Sequence, residues 1–391
     1  MKIAIVSDAV YPYHKGGKER RFSEISTRLA ARGHEVTIYC MKWWKEPGLT
    51  RIENRVRLHA ISPLYPMYSG KRRSIRQGLL FGIHCLKLLR EDWDVIEVDH
   101  MPYFPLYFTR IVCWLKGKKM FATWNEVWGK KYWVRYMGGL SGIVGYMIER
   151  FSILLPDAFM AISYHTSERL QQVYNVPRSR VCEVLTGLDT ISVRDIDPSA
   201  QSCDILYAGR LLKHKNVHLL VQAVARLVPE HRDLRCLIVG NGPEKKGLIQ
   251  LVEQLGLQRN IIFLNFLPHH HEVFKLMKSA KTFCLPSTRE GFGMAVLEAN
   301  ACGVPAIVIR NPENASVDLI EGVNGVVVEP SAEGIARGFS QLVSRKCDPD
   351  AVMRIAAKYD WEQIINRLLQ AYEAHRPHGG IGTMNIDVSK A

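Results

Sequence analysis

The chain has 391 residues, 47% apolar and 23% charged. That length suits two domains of roughly 100–200 residues, each able to bury a core, and the composition excludes a disordered or fibrous chain. The formal net charge of +14 is uneven: residues 1–190 hold 29 Lys and Arg against 17 Asp and Glu, giving +12 and leaving +2 for the rest.

Apolar runs rich in β-branched and aromatic residues alternate with amphipathic stretches. KIAIVS (2–7), EVTIYC (35–40), DVIEV (94–98), KMFATW (119–124) and DAFMAIS (157–163) have the length of buried parallel strands. Helical patterns such as 17–32 and 74–90 lie between them. The stretch 186–202 lacks periodicity, carries turn residues and reads as a linker. The pattern then restarts, with strands at 204–210, 234–240, 260–266, 281–286, 305–309 and 325–329, and helices at 216–228, 243–255, 272–280 and 293–302. This alternation predicts an α/β fold of two Rossmann-like, doubly wound domains, 1–190 and 200–359, facing across a cleft toward which the strands' C-terminal ends point. A closing helix, 360–375, would cap either domain, including by packing back on the first. Residues 376–391 read as a mobile tail.

Nine single cysteines form no CxxC pair or zinc-like cluster and read as buried free thiols of a reducing, cytoplasmic compartment. Met1 leads directly into a strand, without the pattern of a signal peptide. The longest charge-free stretch of the greasy region, Tyr136–Ile148, falls short of the ~18 residues that a membrane span needs. The expectation is a protein that is soluble or lies on the cytoplasmic face of a membrane.

Three segments carry candidate chemistry. PSTREGFGMAVLEANACGVP (286–305) follows a strand and opens a helix. Gly291 and Gly293 let the backbone approach a ligand, and the helix start aims N–H groups and a positive dipole end at it, which suits a diphosphate. Glu290 precedes the helix and Glu298 lies two turns on, roughly 12 Å away if the rise is helical throughout. Such carboxylates can hold two parts of one extended ligand but not share a proton. Alone, the segment reads equally as a helix N-terminus with one favourable Glu and one surface Glu. AGRLLKHKNV (208–217) ends a strand in Gly209 and Arg210, followed by Lys213 and Lys215; these cations suit phosphate oxygens, or form a solvated basic turn. Gly16 and Gly17, between the first strand and helix, occupy the place of a phosphate-binding turn, a weak signal by itself.

Together the segments are specific. The E-x7-E motif in EGFGMAVLE, the upstream AGRLLKHKN, the Gly-Gly loop and the phrase LAARGHEVTIY make the chain resemble the retaining glycosyltransferases of family 4, which have the GT-B fold. The resemblance runs from Met1 to about Ala374 and is strongest over 204–330. It implies a hexosyltransferase of glycan biosynthesis acting on a nucleotide diphosphate sugar, UDP- or GDP-linked, with a glycan or lipid-linked acceptor held by the first domain. It implies that Arg210 and Lys215 hold the diphosphate and that Glu298 accepts hydrogen bonds from the ribose. Glu290 would contact the transferred sugar, the N–H groups of Gly291, Phe292 and Gly293 would lie nearby, and Gly17 would approach the phosphate from the opposite domain. No cofactor or metal is implied, and anomeric configuration is retained.

One position departs from the family pattern: Asn125, in TWNEVWG, stands where similar proteins have a His that contacts the sugar. Asn hydrogen-bonds but does not titrate. This leaves open an altered donor or rate, or a nucleotide-sugar-binding pseudoenzyme. His100, after the preceding strand, is either on the same rim or an ordinary surface-loop residue. His269, His270 and His271 are consecutive, poorly placed to converge on one metal, and read as an exposed loop and helix start. The E-x7-E spacing argues against a nucleotide-sugar 2-epimerase of the same architecture. No nucleic-acid module accompanies the positive charge, so nucleic acid is not an expected partner. The stretches 71–91 and 130–156 join Lys and Arg to apolar helical faces, which suits peripheral contact with anionic lipid or a core helix with a basic end.

Overall fold

The computed structural model describes residues 1–69, 72–267 and 269–375, with Ser69 and Arg72 described in backbone only. The predicted tail 376–391 and Lys71 lie outside the described residues. The described residues form two large sheets flanked by helices, parallel apart from one edge strand, and two short two-stranded ladders. The first has eight strands in the spatial order Val181–Glu183, Ala158–Ala161, Met120–Trp124, Val95–Asp99, Lys2–Val6, Glu35–Met41, Val56–Ser62 and Thr50–Glu53. The second has six, Ile261–Leu264, Cys236–Val239, Cys203–Ala208, Ala280–Leu285, Ala306–Ile309 and Gly325–Val328. Central strands such as Val95–Asp99, Ala158–Ala161 and Ala306–Ile309 are buried throughout, which is why their sequences are continuous apolar runs rather than alternating ones.

Apart from the edge hairpin, the strand order of each sheet reverses once. The reversal lies between Lys2–Val6 and Val95–Asp99 in the first sheet, and between Cys203–Ala208 and Ala280–Leu285 in the second. Ligands of open α/β sheets bind in the crevice outside the carboxyl ends at such points. There the chain places Asp8, Asp99, Gly209, Arg210 and the 286–293 segment.

The strands Thr50–Glu53 and Val56–Ser62 pair antiparallel as an edge hairpin that the periodicity does not reveal. Its turn residues, Asn54 and Arg55, both have positive φ (48° and 66°). Arg at the second turn position masks the Asn-Gly signal that such a turn usually carries. The predicted linker is also more ordered than its composition suggests. Asp189 caps a short helix, Thr190–Arg194, by accepting the Ser192 N–H at 3.0 Å. Leu188 and Val193 are buried, and the Leu188 N–H donates to the Tyr359 carbonyl at 2.9 Å, so the two crossings between domains run side by side.

After the second crossing the helix Trp361–Ala374 returns to the first domain. Arg32 donates to Asn366 Oδ1 at 2.6 Å and also pairs with Glu362, while Arg28 lies over the Trp361 ring at 5.4 Å. The Tyr372 hydroxyl reaches the buried Glu97 carboxylate, which also accepts from Thr123. Removing this donor leaves a buried carboxylate oxygen short of a partner. Tyr372→Phe is therefore expected to cost about 1–3 kcal/mol, read as a lowered Tm in thermal unfolding; an unchanged Tm would refute the role of the latch.

Candidate functional site

The second domain's part of the site is built from two turns pressed together. The strand Cys203–Ala208 ends at Gly209, and a Cβ on neighbouring Gly240 (φ 147°) would overlap the Gly209 carbonyl oxygen. The chain beyond is stapled to the 286–288 segment. The Thr288 N–H donates to the His214 carbonyl at 2.9 Å, and the Asn216 side chain donates to the Pro286 carbonyl at 3.2 Å. Asn216 adopts a left-handed conformation (φ 47°), a region that Asn tolerates better than most residues. This turn delivers Lys215 to Glu290, with Nζ and Oε1 2.5 Å apart and both side chains largely buried. Arg210, on the same loop, is exposed.

Arg289 and Glu290 form a short parallel bridge with Glu313 and Asn314. The following helix, Met294–Ala301, starts only at residue 294, so the spacing from Glu290 to Glu298 is part extended chain and not a continuous helical rise. Gly293, its N-cap, has φ 101°, and a side chain there would collide with Ser316. Phe292 is buried against Tyr359, ring centroids 5.8 Å apart. Gly291 faces the first domain: a Cβ on it would stand 3.0 Å from the Asn125 carbonyl oxygen. Buried Glu298 takes its partner from the histidine triplet, with Oε1 2.8 Å from His270 Nε2. His270 thus begins a helix, as the sequence suggests, but adjoins the proposed ribose carboxylate instead of solvent alone. Among the described residues no three His, Cys, Asp or Glu side chains group as a metal site.

At the strand reversal of the first domain the basic charge is tightly paired. Lys18 Nζ donates to Asp8 Oδ1 at 3.0 Å, to the Met101 carbonyl at 2.8 Å, and to Asp99. Arg73 meets Asp8 Oδ2 at 2.6 Å, and Gln77 donates to the same oxygen at 2.9 Å. Burial opposes the charged form of Asp8, but Lys18 and Arg73 outweigh it and hold its carboxyl below the usual range. Gly16 caps the first helix, and a Cβ there would overlap Glu19. A Cβ on Gly17 would meet nothing within 4 Å, so no contact within the chain requires glycine at that position.

Asn125 is held on two sides. Its Nδ2 donates to Asp99 Oδ1 at 3.1 Å and lies 3.3 Å from His100 Nδ1. The Asn125 backbone N–H also donates to that His100 nitrogen at 3.3 Å. His100 is buried, stacked on Trp124 with ring centroids 4.6 Å apart, which corrects the surface-loop reading that the sequence favours. Because Nδ1 accepts, the proton of the neutral ring sits on Nε2.

Sequence reasoning missed the contact that bridges the domains here. Arg289 Nε donates to Glu126 Oε2 at 3.0 Å, and the same oxygen accepts from Trp128 Nε1 at 2.9 Å. The Arg289 guanidinium lies 5.1 Å from the Trp128 ring centroid and 4.7 Å from that of Tyr132. Arg135 adds a second bridge to Glu313 at 3.1 Å. A small hollow between the domains is lined by Glu126, Trp128, Thr166, Arg289, Glu290 and Gly291. Adjacency of Arg289 to Glu290 and the aromatic cluster at 128–136 were the available signals.

The family model of the glycosyl transferases group 1 matches residues 194–360, and that of glycosyltransferase family 4 matches residues 15–191. An uncharacterized glycosyltransferase of Methanocaldococcus jannaschii is 24% identical over 95% of this chain and 98% of its own length. A glycogen synthase of Mycobacterium tuberculosis is 25% identical over 96% of this chain and 95% of its own. Among solved structures, Anabaena HepE in complex with UDP has a TM-score of 0.73 at 17% identity, covering 96% of this chain and 100% of that one. Fold and comparisons define a GT-B glycosyltransferase. The chain belongs to the group 1, family 4 glycosyltransferases.

Burial pushes the His100 pKa down to about 4. Between the ordinary value of 6.5 and that value the unfolded chain binds a proton that the folded one refuses. The contribution is therefore complete above pH 6.5 and is lost as pH falls toward 4, by an amount of the order of 3 kcal/mol. His100→Phe should flatten the fall in Tm across that window, and parallel profiles for the two proteins would contradict this.

Proposed function

We propose that this glycosyltransferase moves a sugar from a UDP- or GDP-sugar to a glycan or lipid-linked acceptor, with retained anomeric configuration and without a metal. The observation that carries this reading is the Lys215–Glu290 pair beside Gly291, where the second domain meets Asn125 of the first. Each member of the pair neutralises the other, and each suits a different part of one donor. A diphosphate draws Lys215 off Glu290 because its two phosphates together set two negative charges near the ammonium against one on the carboxylate. Glu290 is then free to accept hydrogen bonds from hydroxyls of the transferred sugar. Arg210, exposed on the same loop, adds a second cation and helps to stabilise the diphosphate as it leaves.

The N–H groups of Gly291, Phe292 and Gly293, with the helix start behind them, supply the partial positive charge that a divalent ion provides in other transferases. Glu298, steadied by His270 on one oxygen, accepts from the ribose with the other. Gly16 and Gly17 bring backbone to the phosphate from the facing domain, and the open space around Gly17 supports that reading. The acceptor hydroxyl attacks on the face that the diphosphate leaves, forming the new glycosidic C–O bond as the C–O bond to phosphate breaks. The departing phosphate takes the acceptor's proton.

The second reading, a sugar-nucleotide-binding protein without turnover, draws on Asn125, whose amide is engaged by Asp99 and His100. Thermal shift with UDP-, GDP- and ADP-sugars, followed by assay of released nucleoside diphosphate with and without acceptors, separates the two. Stabilisation by a sugar nucleotide with no release across acceptors would select the binding protein, and stabilisation by none would reject both readings. Lys215→Met should lower turnover about 10²–10³-fold while the fold persists; near-normal turnover would remove Lys215 from the site. Asn125→His is expected to keep or raise turnover, and a fall of about tenfold, some 1.4 kcal/mol, would show that the amide is specifically required.

A further inference from the structure

The first domain carries an apolar face that the fold leaves uncovered. Helix Gly139–Ser152 buries Gly142, Gly145, Glu149 and Ser152. Its opposite side presents Leu140, Val144, Met147 and Phe151, continued by Leu154; Leu140 is 78% exposed and Leu154 70%. Spacings of three and four residues place them in one stripe. A surface helix normally turns its polar side to water, so this one is inverted.

Neighbouring helices widen the face. The Tyr107 hydroxyl joins helix Phe104–Leu115 to the Ile148 carbonyl at 2.8 Å, and that helix exposes Leu115 and Trp114, the latter by 77%. Helix Ile75–His84 packs beside it, where a Cβ on Gly82 would press on Phe104 and Phe108, and it exposes Ile75 and Leu79. Charge on this layer has one sign. The helical segments 75–90, 104–115, 129–137 and 139–152 contain eight Lys and Arg, of which Arg110 pairs with Asp157 and Arg135 with Glu313, and one acid, Glu149, which is buried. Arg76, Arg90 and Arg150 are exposed among the apolar side chains.

We propose that this face docks on the surface of an anionic lipid bilayer. Apolar side chains enter the acyl boundary, Arg and Lys meet headgroup phosphates, and Trp114 suits the interface between the two. A second copy of the chain is the poorer occupant, because face-to-face pairing would set like charges against each other. Among the described residues no helix is long and apolar enough to cross a membrane, so the contact is peripheral. A consequence rests on the proposed sugar transfer. Helix Gly129–Met137 packs against the stripe-bearing helix, where a Cβ on Gly142 would press on Trp133 and Val134, and it carries Tyr132 to Arg289 at the domain boundary. Docking would therefore hold the cleft near the bilayer, within reach of a lipid-linked acceptor.

The test is flotation of the full chain with phosphatidylcholine vesicles, with and without phosphatidylglycerol, for wild type and two triple variants. One is Leu140→Ser, Phe151→Ser and Leu154→Ser; the other is Arg76→Gln, Arg90→Gln and Arg150→Gln. Wild type should bind the anionic vesicles at least about tenfold more tightly than neutral ones, and each variant should lose about tenfold or more. Because all six positions are exposed, both variants should keep the wild-type Tm and its shift with sugar nucleotide. Equal binding to neutral and anionic vesicles overturns the proposal, as does wild-type binding by the serine variant. A wild-type dimer that the serine variant turns into a monomer assigns the face to a second copy instead. Vesicle binding without any sugar-nucleotide shift leaves docking standing and removes the proposed transfer.

Discussion

The Lys215–Glu290 contact concentrates the constraints on this molecule. Two charges in a largely buried position cost desolvation that only close, well-aligned partners offset. Here the partners come from loops 75 residues apart, held in register by the Asn216 and Thr288 hydrogen bonds. The pair depends on both strand–helix turns being positioned first, and those depend on the parallel sheet beneath. A cation and an anion that satisfy each other can each exchange partners for a ligand carrying both phosphate and hydroxyl groups.

The same economy governs the facing domain. Asp8, Lys18, Arg73 and Asp99 form a buried network at the strand reversal, and Asn125 joins it through Asp99. Farther out, buried Glu149 accepts the N–H groups of Trp128 and Gly129 at 2.9 and 3.0 Å, and the Trp133 indole N–H at 2.7 Å. Burial raises the Glu149 pKa against these bonds, which favour the charged form. Glu149 thereby fixes the aromatic segment against which Arg289 packs. Its helix has two sides with separate tasks: the inner anchors that segment, and the outer carries the uncovered apolar stripe.

Contact at the cleft is polar, while on the side of the chain crossings apolar side chains of both domains belong to one continuous buried cluster. Arg289 with Glu126, Arg135 with Glu313, and the His165 N–H with Asp318 Oδ2 at 2.9 Å all cross the boundary. The polar contacts at the cleft are weaker than a packed core, so relative domain motion is expected on that side. The paired chain crossings at Leu188 and Tyr359, with the closing helix latched by Tyr372, set the hinge side.

Much of the fold was legible because buried parallel strands are continuous apolar runs and their helices are periodic. The two sheets and the closing helix follow from those patterns, as does the nearness of the 208–217 and 286–298 segments, since both leave adjoining strands at a reversal of order. The edge hairpin escaped because Arg55 occupies a turn position where Gly would have announced it. The burial of His100, the partnership of His270 with Glu298 and the bridge from Arg289 to Glu126 were decided by tertiary structure alone. The last of these joins residues 163 positions apart, and no local periodicity encodes such a distance. The sequence determined which side chains were available and which strand ends would present them. Only the packed chain decided which charges met, because Coulomb and hydrogen-bond energies depend on separations of a few ångströms that arise after both domains have folded against each other.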